Sequence, residues 1–88
     1  MTTSKGFTVN LEVIEEGHTT NATARLVIAG EELAATGKAQ RNPDDPDRPM
    51  IGDELAIARA LLVLARQLGH KVDEGIEAYE GHEVHVSI

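Results

Sequence analysis

The chain of 88 residues contains no cysteine and no tryptophan, and its aromatic residues are Phe7 and Tyr79 alone. Without cysteine there are no disulfides, no thiolate zinc sites and no thiol nucleophile. Two isolated aromatics cannot build a base-stacking platform or an aromatic cage for a quaternary cation. No apolar run approaches the ~18 residues that a membrane span requires. The polar opening Met1–Gly6 has no apolar stretch behind it, so no secretory leader is read and a cytoplasmic protein is expected. Positive charge is scarce, with 8 basic against 15 acidic side chains and a net charge of −7. A field of that sign repels phosphate backbones and anionic lipid at long range, so no membrane partner is expected.

The remaining residues fall into a regular pattern. Phe7, Val9, Leu11 and Val13 alternate with Thr8, Asn10 and Glu12, as one face of a strand alternates with the other. After a polar break at Gly17-His18, Ala22, Ala24, Leu26 and Ile28 alternate with Asn21, Thr23 and Arg25. A third run carries Leu33, Ala35, Gly37 and Ala39 on one face. The pattern predicts an antiparallel meander with strands at about 7–15, 19–29 and 33–40. The inner faces of the second and third strands are mostly alanine and glycine, which lets a helix approach closely. All three prolines lie in the loop at about 41–50, where no ladder can continue. Beyond it Ile51, Leu55, Ala58, Leu61, Leu62, Ala65 and Leu68 recur at helical spacing, predicting one long helix over about 52–70 with Asp53 and Glu54 in its first turn.

Gly69, His70 and Lys71 form a helix-stop signal, so a C-terminal segment over 72–88 is expected to hold a short helical piece at about 73–80 and a strand with Val84, Val86 and Ile88. The fold class is α+β, a single domain over 1–88 of β-β-β-α order with one long helix on one sheet face. Leu55, Leu61, Leu62, Ala65 and Leu68 are expected against Phe7, Leu11, Leu26 and Ile28. A homodimer is expected, since the helix covers one face only and the C-terminal strand has no evident partner within the chain.

Residues with chemical capacity are few. His82 and His85, three apart on a strand, point to opposite faces, and no thiolate supplements them. Asp44, Asp45 and Asp47 crowd one loop without the ligand spacing, glycine or distal glutamate of a calcium loop. Ser4 and Ser87 sit at the two ends, and the eight glycines are scattered singly, so no nucleophile elbow or phosphate cradle exists. No catalytic residue, metal, cofactor or small-molecule substrate is therefore expected. Arg25, Lys38, Arg41 and Arg48 come from two adjacent strands and the loop that follows, and they are the candidate surface for ribosome, structured RNA or another partner. Arg59 and Arg66 share a helix face. An alternative is a protein–protein interaction module that uses its acidic surface or a sheet edge and does not meet nucleic acid.

Three groups of residues carry a resemblance: Arg41-Asn42-Pro43, then Ile51-Gly52-Asp53-Glu54-Leu55-Ala56, then Ala58-Arg59-Ala60-Leu61. With Ile76-Glu77-Ala78 near the end, they resemble the pattern of a family of short, mainly actinobacterial proteins of unknown function, and the likeness covers most of the chain. The resemblance implies a fold like that of double-stranded-RNA-binding domains without their N-terminal helix, and a likeness to ribosome hibernation promoting factors. It further implies dimers, some formed by exchange of terminal elements, and a role in stress or dormancy. The chain departs from RNA-binding relatives in carrying Asp53 and Glu54 where those domains place lysines against groove phosphates.

Overall fold

The computed structural model describes residues 1–42, 44 and 49–81. Strands β1 (Val9–Glu16), β2 (Thr19–Ile28) and β3 (Glu31–Gln40) precede a single helix, α1 (Pro49–Glu80). The strands form an antiparallel meander in the order β1-β2-β3. Its two turns are two-residue hairpins. Glu16 pairs with Thr19 across Gly17-His18, with Gly17 at φ 62° in the first turn position. Ile28 pairs with Glu31 across Ala29-Gly30, and both turn residues have positive φ, 51° and 75°, as a type I′ hairpin requires. Ala29 bears a steric cost of about 1–2 kcal/mol that glycine would avoid.

The expected strands are present with shifted ends. The first begins at Val9 rather than residue 7, and the third begins at Glu31 rather than residue 33 because the turn takes only two residues. Helix α1 departs further from expectation. It starts at Pro49, where a missing N–H is harmless at the first helical position, so Asp53 and Glu54 fall beyond its first turn. It also passes through Gly69, Lys71 and Gly75 without interruption and ends at Gly81. Gly81 takes φ 77°, and its N–H donates to the Glu77 carbonyl at 2.7 Å. A glycine ends a helix only where it turns left-handed, and Gly69 and Gly75 stay helical. The expected short second helix is thus the last part of one helix about 48 Å long. The expected strand with Val84, Val86 and Ile88 lies outside the described residues.

The face that α1 turns to the sheet is also corrected. Buried residues of the core are Ala22, Ala24 and Leu26 on β2, Ala35 and Ala39 on β3, and Ala56, Ala60 and Leu64 on α1. Ile28 and Leu68 pack against this core as expected. Leu55, Leu61 and Leu62, expected at the sheet, are exposed, as are Phe7 and Leu11. The reason is distance. A Cβ at Gly37 would overlap the Ala56 carbonyl oxygen and the Ala60 amide nitrogen, and it would stand 2.9 Å from the Arg59 carbonyl carbon. Helix backbone lies directly on strand backbone, so only small side chains fit between them.

Gly37→Ala must therefore lift α1 from the sheet, and it is expected to remove 3 kcal/mol or more of stability, about the scale of the largest single-residue losses. Gly75→Ala is expected to act in the opposite sense. A Cβ there meets nothing within 4 Å, and a glycine inside a helix costs about 0.5–1 kcal/mol relative to alanine. Urea denaturation of the two variants reads both signs; equal stability of Gly37→Ala and wild type contradicts the close approach.

Candidate functional site

Of the four basic residues proposed from sequence, the three that are described, Arg25, Lys38 and Arg41, are not gathered into one surface. Arg25 and Lys38 share the outer sheet face, but Arg25 stands opposite Ala34, four residues from Lys38 along β3, or about 13 Å. The Arg25 guanidinium is paired with Glu32 at 3.3 Å, an exposed contact worth at most about 1 kcal/mol. Arg41 leaves the sheet at the opposite end. Its backbone N–H donates to the His18 carbonyl at 2.8 Å, and its guanidinium donates to His18 Nδ1 at 2.7 Å, fastening the loop start to the β1–β2 turn. Arg48 lies outside the described residues, as do Pro43, Asp45 and Asp47. Asp44 donates its N–H to Asn42 Oδ1 at 3.1 Å, an Asx turn that occupies the Asn42 side chain.

Some residues of the resemblance motif serve packing and others stand exposed. Ala60 lies over Gly37, and Gly52 brings α1 against Thr20, whose Oγ1 would sit 3.1 Å from an added Cβ. Ile51, Glu54, Leu55, Ala58 and Leu61 are on exposed parts of the helix. Asp53 Oδ1 is buried without a hydrogen-bond partner among the described residues. No group of three or more metal-ligating side chains occurs among the described residues. No described helix is long and apolar enough to cross a membrane.

Arg59 proves structural, a role that helix-face reasoning did not foresee. Its guanidinium donates to the Lys38 carbonyl at 2.7 Å, and Gln67 Nε2 donates to the Ala34 carbonyl at 3.0 Å. Lys71 continues the series with Glu31 at 2.5 Å. Residues rising along α1 thus meet residues falling along β3, so the helix runs antiparallel to the strand and closes its outer edge. The spacing of 59, 67 and 71 was the available signal, since those positions lie on nearby helix turns.

Among the described residues the opposite side is open. Val9, Leu11 and Val13 pair with Leu26, Ala24 and Ala22 and so share the helix-bearing face, yet α1 lies over β2 and β3 and scarcely touches β1. Val9 and Leu11 are 39% and 40% exposed there, whereas Phe7, ahead of the strand, borders the outer-face residues Asn10, Arg25, Val27 and Glu32. On α1, Ile51, Leu55 and Leu62 are exposed on the side turned away from the sheet. Among the described residues these apolar side chains on β1 and on the outer side of α1 stay exposed. This surface is the candidate functional site. It is built for contact rather than for chemistry.

A small α+β protein with one closed sheet edge and an open apolar face is the class that this geometry defines. The Rv2632c-like family model matches residues 5–85, and the chain belongs to that family. The chain is 45% identical over 75 residues to the uncharacterized protein Rv2632c of Mycobacterium tuberculosis strain H37Rv, covering 83% of this chain and 81% of that one. It is 40% identical over 72 residues to the uncharacterized protein Mb1767 of Mycobacterium bovis, covering 82% and 77% respectively. Its structure is similar to the crystal structure of Rv2632c with a TM-score of 0.84 at 40% identity, over 89% of this chain and 93% of that chain.

The closed edge gives a test. Each donated hydrogen bond is worth about 0.5–1.5 kcal/mol, so Arg59→Ala with Gln67→Ala is expected to cost roughly 1–3 kcal/mol. The bared carbonyls of β3 are expected to promote association through that edge. Denaturation and turbidity on heating check the two effects; a double variant that melts and stays in solution like wild type contradicts the capping role.

Proposed function

We propose that the protein is a non-catalytic, homodimeric interaction module that recognises protein surface by apolar contact. The observation that carries this reading is the exposed apolar side chains beside the core, Val9 and Leu11 on β1 and Ile51, Leu55 and Leu62 on α1. The surface charge favours the same reading over ribosome or structured RNA as the partner. Arg25 is paired with Glu32, Glu12 shares its sheet face, and Arg41 lies at the far end of the sheet against His18. Duplex RNA presents phosphates at close regular spacing, and basic groups so separated, on a chain of net charge −7, do not follow it.

Co-sedimentation with ribosomes and titration of duplex RNA at low ionic strength separate the two readings. The expected result is no salt-sensitive binding. A log–log salt slope of roughly −3 to −4 per subunit, lost when Arg25, Lys38, Arg41 and Arg48 are all changed to Glu, overturns the proposal in favour of an RNA-binding protein.

A further inference from the structure

Charge is divided unevenly along α1. Asp53 and Glu54 stand near its start and Asp73, Glu74 and Glu77 near its end, while residues 55–72 contain no carboxylate. The basic side chains of that stretch are Arg59, Arg66, His70 and Lys71. Lys71 is spent on Glu31. With Ala56, Ala60 and Leu64 facing the sheet, about 100° per residue puts Arg59, Arg66 and His70 on one flank of the helix. It is the flank toward β3, where the Arg59 guanidinium donates to the Lys38 carbonyl, and all three side chains are exposed.

Next to that flank, on the side turned from the sheet, Ile51, Leu55, Ala58 and Leu62 follow at steps of four, three and four. That alternation is the seam of a coiled coil, whose apolar positions recur about every 3.5 residues. All four residues are exposed, Ile51, Leu55 and Leu62 by 53%, 41% and 51%. Arg59 is one helical turn from both Leu55 and Leu62, and Arg66 is one turn from Leu62. The two arginines therefore hold the positions beside the seam, where charge selects the partner helix.

We propose that the outer side of α1 docks an amphipathic helix of another protein, one whose apolar seam is flanked by aspartate or glutamate. This rests on the reading above of a module that recognises protein by apolar contact, and it names the partner's chemistry. The partner's apolar side chains cover Ile51, Leu55, Ala58 and Leu62, and its carboxylates meet Arg59 and Arg66. The Lys38 carbonyl holds Arg59 in place and leaves the other donors of its guanidinium for a carboxylate. Arg66 has no ion-pair partner among the described residues, so a carboxylate brought to it displaces no existing pair.

Charge favours this occupant over two others. A second copy's α1, lying alongside in register, has no carboxylate over residues 55–72 to meet Arg66. Nucleic acid presents solvated phosphates, which gain nothing from the leucines beside the arginines. On a chain of 15 acidic and 8 basic side chains the carboxylate-free stretch is a local exception. An acidic helix is attracted there and repelled over most of the remaining surface.

A fluorescent synthetic helix about three heptads long, with leucine along its seam and glutamate on both flanks, serves as the probe. Its like-charged flanks keep it from pairing with itself, and a second peptide carries lysine at the same flank positions. Anisotropy with the full chain is expected to show binding of the glutamate peptide alone, weakening as salt rises. Arg66→Glu is expected to weaken it roughly tenfold, since an attraction becomes a repulsion. Lys5→Glu, with the same change in net charge on the exposed opening arm, is expected to leave it unchanged. Leu62→Glu is expected to abolish binding with helical circular dichroism unchanged, because Leu62 lies outside the core. Equal binding of both peptides, lost in Leu62→Glu, overturns the acidic partner and leaves apolar recognition standing. Binding of neither peptide, or binding that Leu62→Glu spares and duplex RNA displaces, overturns apolar recognition at α1 as well. A wild-type dimer that Leu62→Glu reduces to single chains in light scattering gives the stripe to a second copy and overturns the proposal.

Discussion

Direct contact between the backbone of α1 and the backbone of β3 is the constraint on which the rest of the structure depends. Gly37 lies beneath Ala56 and Ala60 with no space for even one added carbon. Such an approach is available only where both partners lack side-chain bulk. Ala22, Ala24, Ala35 and Ala39 on the sheet and Ala56 and Ala60 on the helix satisfy it together. Close packing secures good dispersion contact, but methyl groups bury little area. A chain of 88 residues with such a core has a modest hydrophobic reserve.

The same contact determines which surfaces stay open. A helix drawn down over β2 and β3 brings Arg59 and Gln67 within reach of β3 carbonyls and closes one edge of the sheet. It cannot also cover β1, because three strands about 4.8 Å apart are wider than the track of one helix. Closing one side and baring the other are two results of a single placement. Sheet proteins commonly block edges that would otherwise recruit further strands, and here the helix side chains do so at β3.

Much of this was legible in the residues. Alternation identified all three strands, and the small inner residues of β2 and β3 correctly announced a close helix. Which face of the helix comes close was not legible, because periodicity was counted on the large residues Leu55, Leu61 and Leu62. In a backbone-to-backbone contact the buried stripe is the small one, Ala56 and Ala60, and the leucines mark other faces. The helix end was misread at Gly69 for a related reason: residue type suggests a stop, but only a left-handed backbone makes one, and that occurs at Gly81. The basic group suffered from reading proximity in sequence as proximity in space. Arg25 and Lys38 are on one face, yet pairing sets them four residues apart, and Arg41 is drawn into the opposite turn.

An apolar face on so acidic a chain has a physical logic. At ordinary ionic strength the acidic excess is screened beyond about 10 Å and repels other acidic surfaces within it, which limits nonspecific collapse, so a lasting apolar contact must outweigh that repulsion. Specificity must then come from shape and from local charge. Exposed Leu61 and Leu62 on α1 and Val9 and Leu11 on β1 give the apolar surface its relief. The alanine and glycine contact between α1 and β3 fixes both features in relation to one another. The residues that make the core small therefore also set the geometry of what lies outside it.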